Sequence, residues 1–276
     1  MEITVDHSLR YSYSAPVYLE PQILYLTPRP SLHTQILEHH LEIVPAPALL
    51  AQNLDSEGNL QHVAHFQELT DRLEVKVTMR IRNSLENPFA FYVYPFELAN
   101  FPMEYPKRLR RVLRPYLKVR SDRLVDDYMK GLRNQKGDPV IDFLGALAKK
   151  ISGDFGYEFR EKGRPHSPDY FLRKGKGSCR DYAGLCAEVC RRSGIAARFV
   201  SGYFRGDAEL SHHLHGWIEV YLPGAGWRGL DPTQGVWADD KYIALAASLY
   251  PDKIAPVNGS YRGGAEARMK VEVVIR

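Results

Sequence analysis

Between residues 177 and 230 the chain switches its hydrophobic pattern from a helical to an alternating period, and that order restricts the fold more than any other stretch. Residues 177–193 read as one helix, with Gly194 as its C-terminal stop. Residues 199–204, 216–222 and 227–230 then read as successive strands, the last two joined by the turn residues Pro223-Gly224-Ala225-Gly226. A helix followed by antiparallel strands is an α+β order. Residues 269–275 read as a further strand that closes a sheet.

The N-terminal part carries a different pattern. Residues 3–13, 35–44, 61–66 and 73–82 run as strands separated by turn signals such as Asp55-Ser56-Glu57-Gly58-Asn59, so an antiparallel β domain is expected. A passage rich in proline and aromatics over 87–106 places a boundary near residue 100. This gives a β-rich domain over 1–100 and a second domain over 101–276, a division that suits a chain of 276 residues. Residues 140–152 read as another helix. The basic run from Lys107 to Arg120 reads as a solvated amphipathic face interrupted by Pro115. It lacks interleaved stacking aromatics, and 37 Lys+Arg against 33 Asp+Glu is a mild balance, so no nucleic-acid partner is expected. The first residues show no basic region followed by an apolar run, and no segment is apolar for long enough to span a bilayer. A cytoplasmic protein without a membrane partner is expected.

Three cysteines argue against a disulfide framework. Cys179, Cys186 and Cys190 share a helical face, yet Cys179 and Cys186 are separated by roughly 10 Å of helical rise, too far to bridge or to share a metal. Cys186 and Cys190 read as core side chains. Cys179 opens the helix, where unpaired backbone N–H groups and the positive end of the dipole favour a thiolate, and Arg180 adds a cation. His215 heads a strand whose same-face neighbour is Trp217, and Asp231 follows one hairpin later. A thiol, an imidazole and a carboxylate in this order are the parts of a nucleophilic triad. Each has a plainer reading: a buried structural cysteine, a structural or metal-binding histidine beside His212 and His213, and the first residue of an Asp-Pro-Thr turn. No metal-binding spacing accompanies the histidines. The hairpin also poses a geometric problem. A two-residue turn at Gly224-Ala225 pairs Asp231 with Ile218, about three residues or roughly 10 Å from His215, so a wider loop, a bulge or a bend is required.

Three blocks carry a resemblance: Gly177-Ser178-Cys179-Arg180-Asp181-Tyr182, then Gly194-Ile195-Ala196-Ala197-Arg198-Phe199-Val200-Ser201-Gly202-Tyr203, then His215-Gly216-Trp217-Ile218-Glu219-Val220 leading to Leu230-Asp231-Pro232-Thr233. Together they resemble the bacterial transglutaminase-like superfamily of cysteine enzymes, with a papain-like core, over roughly residues 140–240. Arg10-Tyr11-Ser12-Tyr13, Leu26-Thr27-Pro28-Arg29 and the 55–59 turn are similar to the β-rich N-terminal region of bacterial members. The resemblance implies Cys179 as nucleophile, His215 as general base and acid, and Asp231 as the orienting carboxylate. It also implies acyl transfer at an amide through a thioester, with no cofactor and no metal. The Cys179 backbone N–H supplies half of an oxyanion hole; Tyr157 and Tyr170 are candidates for the rest, and Arg180 and Trp217 for shaping the site. Arg180 stands where many bacterial relatives have Gln, Gly216 where Ala is usual, and residues 239–244 depart from the family's Asp-Asp-His pattern. Hydrolysis of a peptide or protein amide is expected ahead of protein-glutamine cross-linking. A non-catalytic interaction module that keeps the fold is the rival from another class.

Overall fold

A computed structural model of the chain describes residues 1–119, 123–132, 134–160, 163–206 and 213–276. Its first part is all strand: β1 (Glu2–Leu19), β2 (Gln22–Leu24), β3 (Thr34–Val44), β4 (Leu49–Leu54), β5 (Leu60–His65) and β6 (Leu69–Asn83). Short helices follow, α1 (Lys107–Leu113) and α2 (Arg123–Met129), and then the longer α3 (Val140–Asp154). The chain continues through β7 (Gly156–Tyr157), α4 (Pro168–Lys174), β8 (Lys176–Gly177) and α5 (Cys179–Arg192). Five strands come next, β9 (Ala197–Phe204), β10 (His215–Leu222), β11 (Gly226–Asp231), β12 (Val236–Trp237) and β13 (Tyr242–Ser248). The last are β14 (Val257–Asn258), β15 (Tyr261–Arg262) and β16 (Ala267–Ile275).

Period-two burial builds the first sheet. Ile3, Val5, His7 and Leu9 of β1 point inward, as do Leu73, Val75, Val77, Met79 and Ile81 of β6. The sheet order is β3–β6–β1, and β15 and β16 pair with the other edge of β1. A second sheet runs β14–β2–β5–β4. Residues 257–275, assigned with the second part on sequence, therefore pair with strands formed by the first 65 residues.

The central sheet has the order β12–β11–β10–β9–β13. Helix α5 packs across β10 and β9, burying Tyr182, Leu185, Cys186, Val189 and Cys190 at helical spacing. Cys186 and Cys190 are the core side chains expected, and all three cysteines are free thiols. On the opposite face, Tyr203 of β9 and Ile243 and Leu245 of β13 join the apolar cluster of the N-terminal sheets. The central sheet is thus covered on both sides, which is why β9 is an almost unbroken buried run.

The 55–59 turn locks the two parts. Asn59 is fully buried; its side-chain N–H donates to Ala247 O at 2.9 Å and its oxygen accepts from Ala247 N at 2.8 Å, so a side chain acts as one more partner for β13. Glu57 accepts from Tyr116 Oη at 2.7 Å. The basic segment departs from a single amphipathic stretch: α1 stops at Leu113, Pro115 opens a 3₁₀ turn over Arg114–Leu117, and Val112 is exposed. Arg120 lies outside the described residues.

Candidate functional site

Three elements converge on Cys179. The parallel pairing of β7 with β8 sets Tyr157 beside Gly177, one turn ahead of α5. Gly177 is required there, since a Cβ would lie 2.8 Å from the Asp181 carboxylate and 2.9 Å from the Phe171 ring. Asp181, with no solvent exposure, then fixes the helix start. It accepts from Ser178 N at 2.8 Å, Ser178 Oγ at 2.9 Å, His166 N at 2.7 Å and the Arg160 guanidinium at 2.8 Å. Burial alone would raise its pKa; these donors outweigh burial and hold it below the ordinary carboxylate value. Cys179 is thereby presented at a rigid helix N-terminus.

His215 and Asp231 reach one another because the hairpin is one residue wider than the tightest turn. Leu222 pairs with Gly226 and Ile218 with Leu230, leaving the three-residue loop Pro223-Gly224-Ala225, in which Gly224 has φ +79°. Continued by one residue, this register sets Asp231 across from Trp217 instead of Ile218. A one-residue change in register moves a side chain to the other face, so Asp231 lands on the face that carries both Trp217 and His215. A diagonal neighbour is within reach of an imidazole, and His215 Nε2 lies 2.7 Å from Asp231 Oδ2. The expected gap of roughly 10 Å is closed by loop length and side-chain reach.

Asp231 is fully buried and both of its oxygens are occupied. Oδ1 accepts from Thr233 N at 2.8 Å, the Asp-Pro-Thr turn anticipated from sequence, while Oδ2 accepts from His215 and from Tyr242 Oη at 2.9 Å. The turn and the imidazole contact coexist on one carboxylate. Nε2 being committed to Asp231, Nδ1 is the nitrogen left to face the Cys179 thiol, which lines the same cleft.

The electrostatics follow from these contacts. Burial lowers the pKa of an imidazole, but the Asp231 charge and hydrogen bond and the neighbouring sulfur outweigh it, and His215 is pushed up to about 10. Burial raises the thiol, yet the hydrogen bond and charge of His215, the Arg180 cation and the Gly216 N–H bring Cys179 below its ordinary value. Both directions favour a thiolate facing an imidazolium.

The other sequence candidates are distributed unevenly. Tyr157 and Arg180 line the same cleft of about 920 Å³ as Cys179 and His215. Burial, then the nearby Cys179, pushes the Tyr157 phenol up to about 12 and keeps it a hydrogen-bond donor. Arg180 donates to Gly163 O at 2.7 Å and to Arg160 O, pinning the loop beside the helix start. Trp217 is buried beneath the imidazole, its ring stacked 6.0 Å from His215 and edge-on to Tyr242 at 5.3 Å. Tyr170 is not brought to the cleft; α4 turns it against His166, ring centroids 4.6 Å apart. His213 stacks on Phe159 at 4.1 Å, and His212 lies outside the described residues. Tyr242, bonded to the same oxygen as His215, was not singled out from sequence; its signal was the departure noted over residues 239–244.

Residues 126–232 match the transglutaminase-like superfamily, and residues 3–82 match the bacterial transglutaminase-like N-terminal region. The chain carries a transglutaminase-like core together with a bacterial transglutaminase-like N-terminal region. This transglutaminase-like chain is 28% identical over 273 residues to an uncharacterized protein of Mycobacterium tuberculosis, covering 92% of this chain and 86% of that one. It is 38% identical over 188 residues to a protein-glutamine gamma-glutamyltransferase of Pseudomonas aeruginosa, covering 63% of this chain and 27% of that protein. In structure it is similar to a Cytophaga hutchinsonii protein proposed to be a cysteine protease, with a TM-score of 0.72, 19% identity, and coverage of 100% of this chain and 90% of that one. That likeness establishes a shared fold, a transglutaminase-like α+β core with a β-rich N-terminal region. Among the described residues no helix is long and apolar enough to cross a membrane.

Proposed function

We propose that this transglutaminase-like protein performs cysteine-dependent acyl transfer at an amide bond, with hydrolysis of a peptide or protein amide as its reaction. The observation that carries the reading is the 2.7 Å contact of Asp231 Oδ2 with His215 Nε2, which leaves the imidazole beside the Cys179 thiol at the head of a buried helix. The thiolate attacks the carbonyl carbon and an S–C bond forms. The C–N bond then breaks as His215 Nδ1 delivers its proton to the departing amine. His215, now neutral, takes a proton from water, whose oxygen displaces the thiolate and releases the acid. Asp231 holds the imidazole in the tautomer and orientation that both steps need. The Cys179 backbone N–H at the helix start and the protonated Tyr157 phenol are the proposed donors to the oxyanion.

A second reading has a specific support. The similarity to a protein-glutamine gamma-glutamyltransferase favours an amine in place of water as acceptor. One experiment separates them: peptides containing glutamine are incubated with and without a fluorescent primary amine, and released amine, free acid and amine adduct are quantified. Free acid formed with and without the added amine supports hydrolysis, and product only as adduct supports transfer. Turnover that survives Cys179→Ala overturns both.

A further inference from the structure

The cleft is walled by residues from outside the core that the family comparison matches. Arg268 and Met269 of β16 face it from one side and Lys253 and Asp252 from the segment after β13, across from Cys179 and Arg180. Among the described residues the charges around it do not balance. Arg160 is neutralised by Asp181 at 2.8 Å, and Arg164 by Asp252 at 3.3 Å, the only carboxylate among the described cleft-lining residues. Arg180 is held by backbone carbonyl oxygens, which orient the guanidinium without cancelling its charge. Lys253 and Arg268 are exposed and take part in no ion pair among the described residues. Three positive charges thus face a concave space that also holds the nucleophile, and a low-dielectric wall of Leu9, Met269 and Val271 concentrates their field.

Resting on the acyl-transfer reading above, we infer that the acyl donor is anionic: a peptide or amide with a carboxylate close to the scissile bond, steered and seated by Lys253 and Arg268, with Arg180 adding to the field at the sulfur. These two cations are specificity-determining residues and take no part in bond making. They lie in the segments that complete the N-terminal sheets, which gives the β-rich region a share in substrate choice.

The test uses two alkylating reagents that differ in charge, iodoacetate and iodoacetamide, followed at Cys179 by mass spectrometry. Each forms an S–C bond with loss of iodide, so no amide substrate is needed. The expected result is a ratio of anionic to neutral rates about tenfold above that of a small free thiol, collapsing in about 0.5 M salt, where screening acts over roughly 4 Å. Lys253→Glu with Arg268→Glu brings the ratio close to that of the free thiol, with thermal unfolding checked to confirm folding. Lys76→Glu with Lys118→Glu, two exposed cations outside the cleft, makes the same change in net charge and leaves the ratio in place. Fast reaction with both reagents at the free-thiol ratio, or a ratio indifferent to the double substitution, overturns the anionic donor while leaving the nucleophile standing. Slow reaction with both reagents overturns the nucleophile itself, and the anionic donor with it.

Discussion

Tyr242 Oη lies 2.9 Å from Asp231 Oδ2, the same oxygen that meets His215 Nε2 at 2.7 Å. A buried carboxylate keeps its charge only if donors replace water, and Tyr242 is one of them. Tyr242→Phe keeps the ring packed against Trp217 and Phe204 but removes the donor. The expected cost is about 1–3 kcal/mol in urea unfolding, because one lone pair of a buried anion loses its partner. The acid limb of Cys179 alkylation should also move to higher pH, as the Asp231 carboxyl rises from its depressed value and holds the imidazolium less firmly. An unchanged limb would show that Tyr242 only packs.

The ion pair between Cys179 and His215 sets the pH dependence of the thiol. With Cys179 lowered and His215 raised to about 10, iodoacetamide should react at a nearly constant rate over a range that begins below the ordinary thiol value and extends up to about pH 10. In His215→Ala the largest lowering partner is gone and only Arg180 and the Gly216 N–H oppose burial, so the reactive form should appear at markedly higher pH than in the wild type. Site-resolved rates for Cys179, Cys186 and Cys190 provide the control. Burial, followed by its contact with Cys190, lifts Cys186 well above an ordinary thiol, and it should stay silent.

Asp231→Asn should narrow the pH range of stability. His215 has a raised folded-state pKa, so its contribution is complete below the ordinary value of 6.5 and is lost as pH climbs through about 10. Asp231 has a lowered one, so its contribution is present above 3.8 and is lost as pH falls through the depressed value. The difference in unfolding free energy between wild type and Asp231→Asn is therefore expected to be greatest between about pH 4 and 6.5 and to shrink on either side. A difference that does not vary with pH would mean that the pair is not charged in the folded state.

Gly216→Ala tests a departure from the family pattern. A Cβ at Gly216 would lie 2.6 Å from the Phe199 ring, so the alanine common at this position elsewhere does not fit here. The expected loss is about 1–3 kcal/mol, with slower alkylation of Cys179 because the Gly216 N–H that faces the sulfur is displaced. Adding Phe199→Leu should recover much of both. No recovery would place the strain in the backbone.

The helix start and the three core strands that carry Cys179, His215 and Asp231 were legible because each rests on a local signal: a stop at Gly194, turn glycines at Gly224 and Gly226, alternation along β10. What could not be read depends on pairings distant in sequence. β7 and β8 have two residues each and exist because Gly156 and Tyr157 find Lys176 and Gly177. The loop length that brings Asp231 to the face of His215 differs by one residue from the turn assumed, which no periodicity resolves. Asp181 read as part of a motif, but its role as a fully buried cap shared by Ser178, His166 and Arg160 needs a loop from elsewhere in the chain.

β16 supplies one wall of the cleft by pairing with β1. The cleft is therefore closed on that side only when residues up to Val273 have paired with β1, although Cys179, His215 and Asp231 come earlier in the chain. A chain in which β16 had not yet docked on β1 would hold Cys179 and His215 beside an unfinished pocket, so the pairing of these two strands, distant in sequence, is what completes the wall that a bound molecule would meet.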